Sequence, residues 1–416
     1  MDEIEIPSYF LCPISLEIMK DPVTLSTGIT YDRESIEKWL FSQNNNTCPG
    51  TKQVVMDSEL IPNIILRRFI QSWCTLHAPE GIDRLPTPKA PISKSQLLKL
   101  FNDANSPNKQ LKCLQRLRSI ASHNETNKRC METAGTAEFL ASLIVKKTVE
   151  SSSAEVSEDV IELRRASDEA LSILYNLHLS GSGLKSLLQN NIELIQSLTS
   201  VMQSGSYDSR VYAVMFLKSV FEVADPNQSI SLRPEFFHEL VDILNDQISR
   251  KVSKATLKVL IKVCPWEKNR IKAVEAGAVP LLIDLLLDSS DKRASELMLM
   301  ALNLLCKCAE GRAELLNHSA GLAIVSKKIL RVSSTANESG IRILHSISKF
   351  SATPGVLQEM LQIGAVAKLC LVLEVLEVFD RGSKTKERAR EILKFHARAW
   401  RNSSCIPAPL LASYPS

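Results

Sequence analysis

Two cysteines, Cys12 and Cys48, are the residues of the N-terminal stretch whose chemistry most needs an explanation. A thiolate can act as a nucleophile, and it can also bind a metal ion. A module built on two zinc ions needs eight Cys or His ligands, because each zinc takes four. Between Pro7 and Trp73 these two cysteines stand without any histidine. The stretch is therefore expected to fold without metal and without a cofactor.

The nucleophile alternative is disfavoured by the charge around the two cysteines. Residues 1–80 carry 6 Lys or Arg and 11 Asp or Glu, a balance of −5, whereas the remainder carries +9. Reactive cysteines lie in electropositive, exposed surroundings. We therefore expect Cys12 and Cys48 to be buried structural thiols. A phosphate-binding glycine loop, a Ser-His-Asp set and a pair of catalytic carboxylates are not evident either.

The elements around the two cysteines must be held by a small apolar core and by hydrogen bonds. Asp32 is the predicted N-cap of a helix on which Ile36, Trp39 and Leu40 share one face. Asn63 and the residues after it predict a second helix that ends near Trp73. A module of this length is marginal by burial alone, so charge-assisted hydrogen bonds are expected to stabilise it.

This stretch resembles a U-box, the zinc-free relative of the RING domain. The resemblance rests on five short motifs, which are Cys12-Pro13-Ile14-Ser15-Leu16-Glu17, Asp21-Pro22-Val23, Gly28-Ile29-Thr30-Tyr31-Asp32-Arg33, Cys48-Pro49 and Pro62-Asn63. In that family the module docks a ubiquitin-loaded E2 enzyme. The resemblance implies that the E2 surface consists of Ile14, Leu16, Trp39 and Pro49. The alternative for Ile14 and Trp39 is that they are only core residues.

The resemblance also implies roles for residues around that surface. Many related ligases carry an arginine after the second docking loop, where it touches both E2 and ubiquitin. Lys52 stands at the matching position, and the alternative is an ordinary solvated loop charge. Structural roles within the module are implied for Cys12, Pro13, Glu17, Asp21, Tyr31, Asp32, Arg33, Cys48, Pro62 and Asn63.

The rest of the chain carries an internal repeat. After four prolines in residues 79–92, which predict a semi-rigid linker, apolar residues recur at helical spacing. Repeat starts separated by 42 or 43 residues fall at Gly183, Pro226, Asn269, Gly311 and Pro354. A Gly-Ala turn recurs in these segments, and Gly suits the left-handed end of a helix. The period and this turn resemble armadillo repeats, of which about six would stack into a superhelix with a concave binding face.

The predicted fold class is thus a small α+β zinc-free U-box followed by an all-α armadillo superhelix. The predicted bounds are 5–78 for the U-box, 79–92 for the linker, 93–402 for the repeats and 403–416 for a tail. A disordered insertion is expected near 148–160, where serines and acidic residues cluster. A basic stretch at 381–401 has a balance of +6 and is interpreted as a solvated helix face, with an acidic partner or anionic lipid as the alternative.

The whole chain resembles plant U-box–armadillo E3 ubiquitin ligases, in a subgroup associated with immunity and abiotic stress. The resemblance implies transfer from E2 to a substrate lysine without a covalent E3 intermediate. The expected partners are an E2, ubiquitin and a protein substrate on the armadillo groove, with self-association left open and no nucleic acid. Two alternatives are a non-catalytic adaptor and a nuclear scaffold. The scaffold would carry a coiled coil or WD repeats after the U-box, and the sequence has neither pattern.

The sequence also predicts where the protein resides. None of the ten cysteines forms a CxxC pair, which favours free thiols in a reducing compartment. The N-terminal residues are acidic and lack the apolar run of a signal peptide. The most apolar run, Ala278 to Leu287, is too short to span a bilayer. A cytoplasmic protein is expected, with the nucleus or a peripheral membrane position as alternatives.

Overall fold

The structure is a computed structural model of the full chain. It describes residues 5–42, 45–55, 60–80, 82–83, 92–150, 158–191, 193–224, 232–379 and 384–400, with side chains left out at 41–42, 107–108, 146–150, 158–164 and 375–379. Its contacts divide the chain into two compact units. One spans residues 1–140 with 176–178, and the other spans 141–175 with 179–416.

The first unit begins with a three-stranded antiparallel sheet. Its strands are β1 (Pro22–Thr24), β2 (Thr30–Asp32) and β3 (Ile61–Pro62), in the order β2-β1-β3. Val23 in the central strand faces Tyr31 on one side and Pro62 on the other. Gly28 turns the chain between β1 and β2 at a φ of 83°, a left-handed conformation that glycine adopts without a Cβ penalty.

Two helices pack on this sheet. Helix α1 (Arg33–Glu37) continues into a π-helical turn at Lys38–Ser42, and α2 (Ile64–Leu76) follows β3. Short 3-10 turns lie at Ser8–Phe10 and Ala78–Glu80. The core they enclose contains Tyr31, Ile36 and Ile70, all nearly or fully buried.

Three further helices complete most of the first unit. They are α3 (Lys94–Ala104), α4 (Pro107–Ala121) and α5 (Glu125–Thr133), followed by the start of α6 (Thr136–Glu150). Ser93 and Gln96 form a capping box at the start of α3, each side chain bonding the backbone N–H of the other. The Asn124 side chain accepts the N–H of Asn127 at 2.7 Å and so caps α5. Local sequence therefore sets where these helices begin.

The second unit is helical throughout its described residues. Its helices are α7 (Glu158–Asn176), α8 (Gly181–Asn190), α9 (Leu194–Ser204), α10 (Tyr207–Val223), α11 (Pro234–Asn245), α12 (Arg250–Val263), α13 (Glu267–Glu275), α14 (Ala278–Asp288), α15 (Lys292–Leu305), α16 (Ala309–Asn317), α17 (Gly321–Lys328), α18 (Ser334–Phe350), α19 (Pro354–Gln362), α20 (Ala365–Phe379), α21 (Lys384–Phe395) and α22 (Ala397–Trp400). Sets of three helices recur, as in α13–α15 and α16–α18. The third helices pack side by side in the series α10, α12, α15, α18 and α21.

Glycine ends the first helix of a set where the repeat pattern predicts it. Gly135, Gly277 and Gly364 have φ values of 83°, 85° and 71°. The left-handed conformation lets the chain turn at once into the next helix, which begins one residue later at Ala278 and at Ala365. The predicted turn role of these glycines is confirmed, as is the fold class of a small α+β module followed by an all-α repeat array.

Several of the predicted segment boundaries fall partly or wholly outside the described residues. The expected insertion at 148–160 lies outside the described residues at 151–157, but 148–150 belong to α6 and 158–160 to α7. The backbone is helical at both ends of the segment, and the insertion between them stays a prediction. The described residues do not include Pro226 or the tail at 403–416. They also do not include residues 84–91, which form most of the predicted linker. Among the described residues no single helix is long and apolar enough to cross a membrane.

Candidate functional site

The first loop of the candidate site spans residues 12–17 and is called loop 1. The backbone N–H of Cys12 donates to the carbonyl of Glu17 at 2.8 Å, and the N–H of Leu16 donates to the carbonyl of Cys12 at 2.8 Å. Leu16 takes a φ of 59° although it is not glycine. The left-handed region costs such a residue about 1–2 kcal/mol, so the surrounding turn must hold it there.

The second loop, loop 2, spans residues 48–53 and repeats this arrangement. The N–H of Cys48 donates to the carbonyl of Gln53 at 2.8 Å, and the N–H of Lys52 donates to the carbonyl of Cys48 at 2.9 Å. Lys52 takes a φ of 60°, matching Leu16 in loop 1. The two loops thus share one backbone form, in which Pro49 corresponds to Pro13 and Gly50 corresponds to Ile14.

The Cys48 thiol anchors loop 2 from within the core. It is fully buried, and its sulfur lies 3.1 Å from the hydroxyl of Tyr31 and accepts from the hydroxyl of Thr27 at 3.3 Å. Burial acts to raise the pKa of Cys48, but hydrogen bonds from Thr27, Thr51 and Tyr31 outweigh it and lower the pKa to about 6. Hydrogen bonds from neighbouring hydroxyl groups therefore lower the pKa of Cys48 although the module as a whole is acidic.

Tyr31 joins loop 2 to strand β2. Its hydroxyl accepts the N–H of Gly50 at 3.0 Å, in addition to its contact with Cys48. Burial is the main reason that the pKa of Tyr31 is raised to about 12, so its hydroxyl keeps its proton. The ring is fully buried. The protonated phenol of Tyr31 thus holds the sulfur of Cys48 and the backbone of loop 2 together.

Cys12 has the matching role in loop 1. It is fully buried, and its sulfur accepts the N–H of Asp32 at 3.3 Å. Burial acts to raise the pKa of Cys12, but hydrogen bonds from Ser15, Asp32 and Ile14 outweigh it and lower that pKa. Because both thiols are buried, neither offers an accessible nucleophile.

Charged side chains connect the loop region to both helices. The Nε of Arg33 donates to Asp21 at 2.6 Å, and Arg67 of α2 lies 3.6 Å from the other oxygen of that carboxylate. Asp32 was expected to cap α1, but its side chain instead accepts the N–H groups of Lys20 and Asp21 at 2.8 and 2.9 Å. The physical reason is that two donors of the preceding loop lie within its reach. The network fixes the segment between loop 1 and α1.

Trp39 lies between α1 and loop 2. Its indole N–H donates to the carbonyl of Thr47 at 2.8 Å, and its ring is half-buried against the core. The Nζ of Lys52 lies 5.8 Å from the centre of that ring, within cation–π distance. The structure therefore brings Trp39 and Lys52 together, with Trp39 partly accessible to solvent and Lys52 exposed.

The other predicted surface residues differ in exposure. Leu16 is 74% exposed, an unusual position for a large apolar side chain that also has a left-handed backbone. Ile14 is half-buried and packs against the core, and Pro49 is half-buried as well. Leu16 is therefore the most exposed of the four side chains, and Ile14, Trp39 and Pro49 each leave part of their apolar surface accessible.

The remaining predicted structural residues contribute in different ways. Asn63 caps α2 by accepting the N–H of Leu66 at 3.1 Å, and its amide donates to Thr30 at 3.3 Å. Pro62 lies exposed in β3. Pro13 and Glu17 are exposed, and Glu17 contributes its backbone carbonyl to loop 1.

Glu37 is a buried residue that sequence reasoning did not select. It is 3% exposed, and its carboxylate accepts the N–H of Glu125 at 3.2 Å and the hydroxyl of Thr126. Arg33 lies 3.7 Å away, one helical turn earlier. Burial is the main cause of the raised pKa of Glu37. The four-residue spacing between Arg33 and Glu37 could have predicted their ion pair. The contacts with Glu125 and Thr126 leave no such pattern, because these residues are distant in sequence.

Comparison with known proteins extends over the whole chain. The family model of the U-box domain matches residues 6–78, and that of the plant U-box protein ARM repeat region matches residues 95–416. The chain is 54% identical over 420 residues to the E3 ubiquitin-protein ligase PUB23 of Arabidopsis thaliana, covering 100% of this chain and 98% of that protein. For PUB22 of the same plant the identity is 54% over 436 residues, covering 100% and 99%.

Among solved structures, one from work on the interaction between cadherin and beta-catenin aligns with a TM-score of 0.58. Its sequence identity is 14%, and the alignment covers 82% of this chain and 58% of that one. At this identity the likeness concerns the fold alone.

Proposed function

The chain belongs to the plant U-box E3 ubiquitin ligases with armadillo repeats, and from this premise we propose how it carries out ubiquitin transfer. The U-box docks a ubiquitin-loaded E2 on Ile14, Leu16, Trp39 and Pro49. The observation that carries this proposal is the pair of matched loops beside Trp39, since they hold apolar side chains at the surface. Exposed apolar groups on rigid loops are typical of protein interaction sites.

The transfer itself proceeds by positioning. A substrate lysine amine attacks the thioester carbonyl, and an amide bond to ubiquitin forms as the thioester bond breaks. The E2 cysteine leaves as its thiolate, and the proton lost by the amine passes to solvent. Cys12 and Cys48, the first residues of the two loops, are fully buried and therefore do not carry ubiquitin in this proposal. Holding two reactants in a productive geometry can by itself lower the barrier by several kcal/mol, up to about 7–11 kcal/mol in well-oriented intramolecular reactions.

Lys52 stabilises the reactive pose of the conjugate. Its ammonium lies over Trp39 and at the end of loop 2, next to the proposed E2 surface. From there one charge can reach the E2 and its bound ubiquitin together. Lys is a compact charge on a flexible stem, so it restrains this pose less than the planar fork of Arg would.

The armadillo repeats select the substrate and bring its lysine to the loaded E2. Stacked repeats form extended surfaces that suit protein ligands. The resemblance to the subgroup associated with stress and immunity supports a role in plant stress or immune signalling. The reducing compartment favoured by the free cysteines supports a cytoplasmic location.

An in vitro assay of ubiquitin chain formation with a generic E2 tests the docking proposal. Leu16→Ala removes exposed apolar surface from loop 1, and Leu371→Ala removes a comparable exposed side chain from α20 as the matched control. We expect the loop variant to lose chain formation and the control to keep it. Equal activity of both variants contradicts the assignment of loop 1 to the E2. A chain that forms no ubiquitin conjugates with any E2 would instead be an adaptor.

A further inference from the structure

Helix α12 carries an unusual concentration of positive charge. Its fourteen residues include Arg250, Lys251, Lys254, Lys258 and Lys262, and no acidic residue. Lys254, Lys258 and Lys262 are spaced by four, which places them along one face of the helix. Lys254 is neutralised by Asp291 at 2.7 Å. In the described part of the chain, Lys258 and Lys262 have no carboxylate within ion-pair distance.

These two lysines line a groove of about 370 Å³ within the second unit. The groove runs over the third helices α10, α12 and α15 and reaches α18 at Thr335. Its apolar lining comes from Ile261, Leu297 and Met300. The volume lies near the lower end of the roughly 300–1,000 Å³ found for ligand pockets, which suits a short peptide segment better than a folded domain.

The electrostatics of the groove favour an acidic occupant. Four basic side chains and two acidic ones line it, so the balance is +2. Both acidic groups already have partners: Glu222 pairs with Lys218 at 3.4 Å, and Glu296 pairs with Arg293. The hydroxyl of Ser333 also donates to Glu296 at 2.6 Å. The cations that remain available to a ligand are therefore Lys258 and Lys262.

We propose that the α10–α12–α15 groove binds an extended acidic peptide segment in which an apolar side chain is flanked by Asp or Glu. The apolar side chain packs on Ile261 and Met300, and the flanking carboxylates pair with Lys258 and Lys262. This inference rests on the proposed function, because it specifies the class of segment by which a substrate is held. It concerns recognition alone and leaves the E2 surface unchanged.

Selection from a display library of randomised short peptides on the full-length protein tests this proposal. We expect the selected peptides to be enriched in Asp and Glu around one apolar residue. The double variant Lys258→Glu with Lys262→Glu is expected to lose that enrichment and to bind the selected acidic peptides about tenfold more weakly by fluorescence anisotropy. The control is Lys268→Glu, which makes the same charge change on an exposed residue of α13 and should bind as the wild type does.

Two further readouts separate the possible failures. Replacing the apolar residue of a selected peptide by Ser should also weaken binding, because the apolar lining then has no partner. Peptides without acidic enrichment, or equal binding by the double variant and Lys268→Glu, would overturn the proposal. Chain formation with E2 is measured on the same variants and should be unchanged. If chain formation persists while acidic selection fails, the substrate class is wrong, whereas loss of chain formation in the wild type would contradict the proposed function.

Discussion

Glu37 in the U-box is hydrogen-bonded to Thr126 at the start of α5, although 89 residues separate them. Its other carboxylate oxygen accepts the N–H of Glu125 in the same turn. Free N–H groups and the helix dipole favour negative charge at a helix N-terminus. The U-box and the first repeat helices are therefore joined by a buried carboxylate within one compact unit, and the proline-rich segment is not their only connection.

Glu37→Ala is expected to loosen this contact. The substitution leaves the Glu125 N–H and the Thr126 hydroxyl without their acceptor, at a cost of about 1–3 kcal/mol. Hydrogen exchange should become faster in α1 and α5 of the full-length protein. Glu34→Ala, an exposed glutamate of α1, is the matched control. Similar exchange in the two variants would show that the contact contributes no stability.

The same contact should respond to pH in a defined direction. The folded pKa of Glu37 is raised by burial, so the folded protein binds this proton more tightly than the unfolded chain does. Protection of α5 should therefore be greatest near or below the unfolded value of about 4.3 and should fall as pH rises through the folded pKa. Glu37→Gln keeps an acceptor but cannot ionise. The protection of α5 should be the same in the wild type and in this variant at low pH. A protection that rises in the wild type relative to the variant as pH rises would contradict the account.

Tyr31→Phe is expected to destabilise the U-box. The change removes the phenol that contacts Cys48 and leaves the N–H of Gly50 without its acceptor. The net loss of such a hydrogen bond costs about 0.5–1.5 kcal/mol, so the thermal midpoint of the U-box should fall. Tyr9→Phe makes the same chemical change at a side chain that is 65% exposed and should melt as the wild type does. Equal midpoints would mean that loop 2 does not depend on this phenol.

Much of the loop region could be predicted from sequence because its signals are local. The Cys-Pro turns of loops 1 and 2 close through hydrogen bonds between residues of the same loop. The turns at Gly277 and Gly364 likewise follow from the local presence of glycine at a helix end. The contact from Glu37 to α5 could not be predicted, because no local sequence pattern identifies a hydrogen-bond partner that is 88 residues away. The Asp32 side chain could accept hydrogen bonds either from the first turn of α1 or from the preceding loop. It accepts them from the N–H groups of Lys20 and Asp21 in that loop.

Substitutions of Lys52 separate the effect of charge from that of the backbone. Lys52→Arg should speed discharge of ubiquitin from the E2, because the planar fork can engage two partners. Lys52→Ala should slow it by about 5- to 30-fold, the equivalent of one charge-assisted hydrogen bond. Lys52→Gly suits the φ of 60° but lacks the charge, so it should be slow as well. Equal single-turnover rates for all variants would remove Lys52 from the mechanism.

The central claim is that the two loops and Trp39 dock the loaded E2 and so activate its thioester. The most direct measurement is single-turnover discharge of a ubiquitin-loaded E2 to free lysine, with no substrate protein present, by wild type, Ile14→Ala and Trp39→Ala. Circular dichroism of each variant checks that the repeats remain folded. The account predicts discharge at the rate of the E2 alone for both variants. Discharge by Ile14→Ala and Trp39→Ala at the wild-type rate would contradict it.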